Sequence, residues 1–373
     1  MRTALSTEEQ SFREDVRTFL EDYRTLDGFF HQDEKWAGVK AFYRALGERG
    51  WLSLTWPERW GGLGRGPVHE FILWDEAAYA RAARPPLSAG IVAKTILRHG
   101  TDAQKQRWLP GIRSGELHFS LGYSEPQAGS DLAAVRTRAE RSGDGYRVTG
   151  EKCWTSYAQD SDYLWLLCRT GAADSRSAGL SLMILDLHAD GVTVSPLPTL
   201  DDEQLNEIRF DGAHVPAEQR IGSENEAWKI VAEALADERH VQFPPRRLRR
   251  DLEDVIDWTR AAGLERDASV RRTLADLAVE VLEVETHALR VLAAVQQGRP
   301  GAVEAAANKV AGTVLCQKIA RAAVEWGGPE AIVRGSELEF LWRQSMWETI
   351  GGGTSEIMRG VVARQGLGLG GRR

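Results

Sequence analysis

Three stretches of the chain hold the residue types that could do chemistry. Gly122-Tyr-Ser-Glu-Pro-Gln-Ala-Gly-Ser-Asp131 offers hydroxyls at Ser124 and Ser130, a permissive backbone at Gly129 and the exposed amides of a turn. Such a turn can cradle phosphates and hydrogen-bond a planar heterocycle. Gly150-Glu-Lys-Cys-Trp-Thr-Ser156 sets Trp154 beside Thr155 and Ser156, where an indole can flank an aromatic cofactor ring. A lone Trp in a strand more often packs a core. Ala227-Trp-Lys-Ile-Val-Ala-Glu-Ala-Leu-Ala-Asp-Glu-Arg239 reads as a helix with Glu238 seven residues after Val231 and three after Leu235. That spacing puts a carboxylate on the apolar face, where no solvated partner is expected. Taken singly, the first stretch reads as easily as a strand–turn with a solvated Glu125 and Asp131, and Glu238 as an end-of-helix acid paired with Arg239.

These segments need elements to position them. Residues 6 to about 116 read as helix. Ser6 and Glu9 form a capping-box pattern, followed by Phe12, Val16, Phe19, Leu20 and Tyr23 at helical spacing. Further helices are expected over 38–50, 67–83, 86–99 and 102–113, around a glycine-rich loop at Trp56-Pro-Glu-Arg-Trp-Gly-Gly-Leu-Gly. From Leu117 the texture changes to short branched and aromatic runs, Phe119-Ser-Leu, Tyr146-Arg-Val-Thr, Tyr163-Leu-Trp-Leu-Leu, Leu180-Ser-Leu-Met-Ile-Leu and Val192-Thr-Val, with a hairpin signal at Ser142-Gly-Asp-Gly. A small barrel or sandwich ending near Gly222 is the expectation. Helical periodicity returns from Glu224, breaks at Gly327-Gly328 and again at Gly351-Gly-Gly, and resumes in a last helix from Thr354. The fold class is α+β: an N-terminal helical domain (1–116), a middle β-domain (117–222) and a C-terminal helical bundle (223–373).

Composition narrows the classes. With 373 residues, 42 % hydrophobic and 27 % charged, the chain can bury a large core. A net charge of −7 argues against nucleic-acid binding. The N-terminus shows no apolar secretory segment and no run of 18 apolar residues occurs, so the expectation is a cytoplasmic protein without a membrane span. Cys153, Cys168 and Cys316 are too few and too scattered for a disulfide framework, and the eight His form no HExxH, so no metal is expected. The loose GxG patterns at Gly62–Gly66 and Gly366–Gly370 lack the strand-then-helix context of a dinucleotide fold.

Tyr-Ser-Glu-Pro-Gln-Ala-Gly-Ser-Asp and Gly-Glu-Lys-Cys-Trp-Thr-Ser, about 25 residues apart, resemble the two flavin segments of acyl-CoA dehydrogenases. The resemblance spans essentially the whole chain, including Trp56-Pro-Glu-Arg-Trp-Gly-Gly-Leu-Gly and Gly353-Thr-Ser-Glu-Ile-Met-Arg. It implies that fold and an FAD cofactor. Tyr123 and Ser124 would contact the flavin, Gly129 and Ser130 would lie near pyrophosphate or substrate, and Trp154, Thr155 and Ser156 would lie against the isoalloxazine. The implied reaction is α,β-dehydrogenation of an acyl thioester, presented by CoA or a carrier protein. A base takes the α-proton, the flavin N5 takes hydride from the β-carbon, and an electron-transfer flavoprotein accepts the electrons.

Two departures from the family pattern carry information. Many members place the base just before Gly-Thr in the C-terminal segment, where this chain has Gly352, which has no proton acceptor. The branch typified by isovaleryl-CoA and long-chain dehydrogenases carries its base at the Glu-Arg helix instead, so the resemblance assigns the base to Glu238, with Arg239, Ser130 and Gly352 on the substrate side. The Arg-x-x-Phe-Gly motif that reaches a neighbouring subunit's cofactor is missing from Thr259–Arg272, and the Gln-x-x-Gly-Gly motif is altered to Val324-Glu-Trp-Gly-Gly. A mixed α2β2 assembly with a related chain is therefore expected slightly ahead of a homo-oligomer in which a basic residue among Arg246–Arg250 substitutes. The rivals are an oxygen-using relative (acyl-CoA oxidase or flavin monooxygenase) and a non-catalytic partner subunit.

Overall fold

The computed structural model describes residues 5–27, 35–201, 205–237, 240–299 and 301–370. In chain order the elements are α1 (Thr7–Leu20), α2 (Trp36–Glu48), α3 (Pro67–Tyr79), α4 (Ala93–His99) after a π turn at Ser88–Val92, and α5 (Asp102–Arg113). Strands follow: β1 (Phe119–Gly122), β2 (Arg138–Ser142), β3 (Gly145–Ser156), β4 (Tyr163–Arg169), β5 (Leu180–Asp186), β6 (Val192–Leu197), β7 (Leu205–Pro216) and β8 (Arg220–Ile221). The remaining helices are α6 (Ala227–Asp237), α7 (Pro245–Ala261), α8 (Ala268–Gln296), α9 (Ala302–Gly327), α10 (Glu337–Glu348) and α11 (Ser355–Val361). By packing, the chain divides into two compact units: Met1–Phe30, Pro67–Arg84 and Arg239–Arg373 form the first, and His31–Gly66 and Pro85–Glu238 the second.

The first unit is helical. Its first helix starts where the sequence says: the Ser6 hydroxyl accepts from Glu9 N at 3.2 Å, and Ser6 N donates back to the Glu9 carboxylate at 2.6 Å. The core follows helical periodicity: Leu248, Leu252 and Val255 of α7 pack with Leu277, Val281 and Val284 of α8 and Leu315 and Ile319 of α9. Each such side chain contributes about 1.5–3 kcal/mol of burial. The break at 327–328 ends α9, and the Thr354 hydroxyl caps α11 by accepting from Ile357 N.

In the second unit the strands join one mixed sheet in the order β6-β7-β3-β2-β4-β5-β8, with β1 parallel to β4. Ser142 faces Gly145 across the expected hairpin. The periodicity explains the layering. β7 alternates buried and exposed residues, as a strand with one covered face must. Leu164 to Cys168 of β4 are all fully buried, so that central strand is covered on both faces. Among the described residues, no helix is long and apolar enough to cross a membrane.

Candidate cofactor and substrate site

The turn after β1 and the end of β3 are tied together by a buried ion pair. Lys152 sits inward on β3 in step with Tyr146 and Val148, and its Nζ donates to a Glu125 carboxylate oxygen at 2.9 Å and to the Tyr123 carbonyl at 3.0 Å. Both side chains are essentially inaccessible, at 0 % and 1 % exposure. The Glu125 carboxylate also accepts from Arg136 N at 2.6 Å, Thr137 N at 2.8 Å and Gln127 Nε2 at 2.6 Å. Burial alone would raise the Glu125 pKa, but the Lys152 charge and these N–H donors outweigh it and hold the carboxyl below its ordinary value. Glu125 is therefore not the solvated residue that a simple strand–turn would carry. Asp131 does lie at the surface, in an exposed pair with Arg176, of a kind worth little.

A bulge completes the arrangement. The pairing of β3 with β7 shifts between Lys152 and Thr155, so Lys152 and Cys153 both turn inward while Trp154 turns out. Cys153 N donates to the Ser124 carbonyl at 3.1 Å, joining the two segments a second time. Trp154 has φ 59°, left-handed for a non-glycine residue, and its side chain is 57 % exposed; such a conformation persists only where the surroundings over-determine it. Next to it Thr155 is buried, and its hydroxyl has no hydrogen-bond partner among the described residues. The Ser156 carbonyl accepts from the Ser120 hydroxyl at 2.9 Å. Gly129 and Ser130 are exposed, and a Cβ added to Gly129 would meet nothing within 4 Å. Gly129 does not use a positive φ, so the turn itself places no demand for glycine there. An outward indole, an unsatisfied buried hydroxyl and an open glycine turn fit a planar, phosphate-bearing cofactor.

Gly352 belongs to the first unit, in the loop between α10 and α11. Its φ is +66° and that of Gly353 is +94°, conformations that glycine adopts without strain. A Cβ on Gly352 would lie 3.1 Å from Gln242 Nε2 and 3.6 Å from Phe243 Cζ. A carboxylate-bearing residue here would therefore be strained and would have to move the Gln242 amide. Glu238 and Arg239 lie outside the described residues.

The basic cluster at the start of α7 is committed within the chain. The Arg246 guanidinium lies 3.5 Å from Glu76, and Arg247 bonds Glu348. Arg249 forms two bonds to Glu285, at 2.7 and 2.8 Å, and Arg250 bonds Asp254 at 2.7 Å. Each of these four guanidinium groups thus meets an acid of its own chain. The sequence reading missed the Glu125–Lys152 pair. The signal was available in the alternation Tyr146, Val148, Lys152, which aims a lysine at the core and so demands a buried carboxylate. An open groove of about 850 Å³ in the second unit, lined by Arg98, Gln104, Arg220, Trp228 and Lys229 among others, contains none of the segment residues.

Family models for the N-terminal, middle and C-terminal domains of acyl-CoA dehydrogenases match residues 6–116, 120–213 and 225–367. The chain is 35 % identical to acyl-CoA dehydrogenase FadE26 of Mycobacterium tuberculosis over 99 % of both chains. Its structure is similar to the Tcur3481-Tcur3483 steroid ACAD (TM-score 0.90, 30 % identity, 100 % of both chains). It is also similar to the ChsE4-ChsE5 complex of M. tuberculosis (TM-score 0.90, 33 % identity, 100 % of both chains).

Proposed function

This chain belongs to the acyl-CoA dehydrogenase family, and we propose that it dehydrogenates the α,β-bond of an acyl-CoA with Glu238 as general base. It is an oxidoreductase of a family of flavoproteins that are generally FAD-dependent. Tyr123, Ser124, Gly129, Ser130, Trp154, Thr155 and Ser156 hold the FAD, which when bound supplies the hydride acceptor. The observation that carries this reading is the Glu125–Lys152 pair, which locks both segments into one frame beside the unpartnered Thr155 hydroxyl. Trp154, turned out by the bulge, presents its ring face to the isoalloxazine.

Glu238 takes the α-proton, since Gly352 has no acceptor. Ser130, Arg239 and Gly352 form the substrate side. Because Gly352 adds no side-chain bulk, a ring-bearing acyl group fits best, in keeping with the steroid relative. The domains meet at 116/117 and 222/223. Electrons pass to an electron-transfer flavoprotein. The assembly is a mixed α2β2 in which a related chain supplies the missing Arg-x-x-Phe-Gly contact, supported by two-chain relatives and by the committed arginines of α7.

Glu238→Gln keeps the shape and removes the proton acceptor. The expected result is bound yellow FAD with kcat lower by at least ~10²-fold; turnover at the original rate assigns the base elsewhere. For the assembly, the mass and FAD content of the chain expressed alone decide. A fully loaded, active homo-oligomer overturns the mixed arrangement.

A further inference from the structure

Lys309 is a buried cation to which the reaction assigns no role. It sits in the N-terminal third of α9 with 1 % of its surface exposed, far from the solvated setting lysine normally keeps. Its Nζ donates to the Gly353 carbonyl and lies 5.8 Å from the centre of the Phe243 ring. The tip of that same ring would lie 3.6 Å from a Cβ on Gly352. Three segments distant in sequence thus close on one another: the chain before α7, the N-terminal third of α9 and the loop between α10 and α11. The other charges acting on Lys309 are acidic, Glu348 at the end of α10 and Glu356 in the first turn of α11. Both favour the charged ammonium.

The loop has little rigidity of its own. Three consecutive glycines carry maximal backbone freedom when unconstrained, and Gly352 and Gly353 occupy the left-handed region. Its internal bonds, Gly351 N to the Trp347 carbonyl and Ser355 N to the Thr349 carbonyl, fix its ends and leave Gly353 to the lysine. A charge-assisted bond from an ammonium to a carbonyl is of the stronger kind.

We propose that Lys309 is a positioning residue: it latches the Gly351–Gly353 loop against Phe243 and so sets the width of the acyl-binding floor at Gly352, making it a determinant of acyl-group selectivity. The selectivity clause rests on the reading of Gly352 as a substrate-side residue. The latch itself does not.

The test compares Lys309→Met, which keeps the stem and removes the donor, with Lys309→Gln, which keeps a shorter donor. Both are made in the active assembly. Amide hydrogen exchange at Gly351 and Ser355 reads the latch directly, without substrate. Faster exchange in Lys309→Met, partly restored in Lys309→Gln, is expected; unchanged exchange overturns the latch. The ratio of kcat/KM between a ring-bearing and a short linear acyl-CoA reads the selectivity. A shift of about tenfold, the size of effect that a changed pocket wall produces, is expected in Lys309→Met, mainly through KM. A uniform fall in kcat/KM for all acyl-CoAs, following lost FAD, marks a merely structural role and overturns the proposal. Gly352→Ala separates the two readings. If it shifts selectivity while Lys309→Met does not, the lysine is excluded and Gly352 keeps its place. If neither shifts, the substrate-side reading of Gly352 fails as well.

Discussion

Lys152 and Lys309 are both buried, and they are compensated in different ways. Lys152 in the second unit has a carboxylate and a carbonyl as acceptors, and its carboxylate partner gathers two backbone N–H donors and a glutamine amide besides. Lys309 in the first unit has a carbonyl and a ring face. Burial lowers the pKa of both ammonium groups; the Glu125 carboxylate opposes it at Lys152, and the charges of Glu348 and Glu356 oppose it at Lys309, which is pushed down to about 8. The matched pair makes a fixed frame, suited to holding a cofactor. The half-compensated lysine leaves an energetic debt in the folded state, so it can be titrated or replaced, as suits a flexible loop. Burial alone does not say what a lysine is for; the completeness of its partners does.

The largest expected effect breaks the matched pair. Lys152→Met leaves Glu125 as an uncompensated buried charge, and removing one partner of such a pair costs about 3–5 kcal/mol. Urea unfolding should show that loss, together with loss of FAD. Replacing both, Glu125→Gln with Lys152→Met, should recover much of the stability. If the double variant is no better than the single, the two residues do not act as a pair.

An intermediate effect concerns the unmatched lysine. The folded pKa of about 8 lies below the unfolded value of 10.5. Between those values the unfolded chain holds more protons, so stability rises with pH. The Lys309 contribution is complete above about pH 10.5 and is lost as pH falls through about 8, a change on the order of 3 kcal/mol. Unfolding midpoints of the wild type minus those of Lys309→Met, measured from pH 7 to 10.5, should rise with pH. A flat difference removes the contrast between the two lysines.

The smallest effect probes the edge of the frame. Thr155→Val removes a buried hydroxyl that has no partner among the described residues. The apo-protein should be unchanged or slightly more stable, whereas FAD affinity should fall by about three- to tenfold, the worth of one ordinary hydrogen bond. Equal FAD affinity in titrations of the two proteins would mean that the hydroxyl does not face the cofactor.

The succession of helices, strands and helices was legible in the sequence because periodicities of 3.6 and 2 are local properties of the chain. The Ser6–Glu9 cap, the hairpin at Ser142–Gly145, the break at Gly327 and the Thr354 start were legible for the same reason. The two segments that resemble the family's flavin segments were legible as motifs, and they carried the family. What the sequence alone did not decide was the partner of each charge. Glu125 looked like a surface acid until Lys152, 27 residues later, was folded onto it. Arg246–Arg250 looked available until acids of α3, α7, α8 and α10 met them. Lys309 and Gly353, 44 residues apart, gave no local signal at all. Periodicity is written along one strand or helix, but compensation of a buried charge is settled only by which distant groups the tertiary fold brings within about 3 Å.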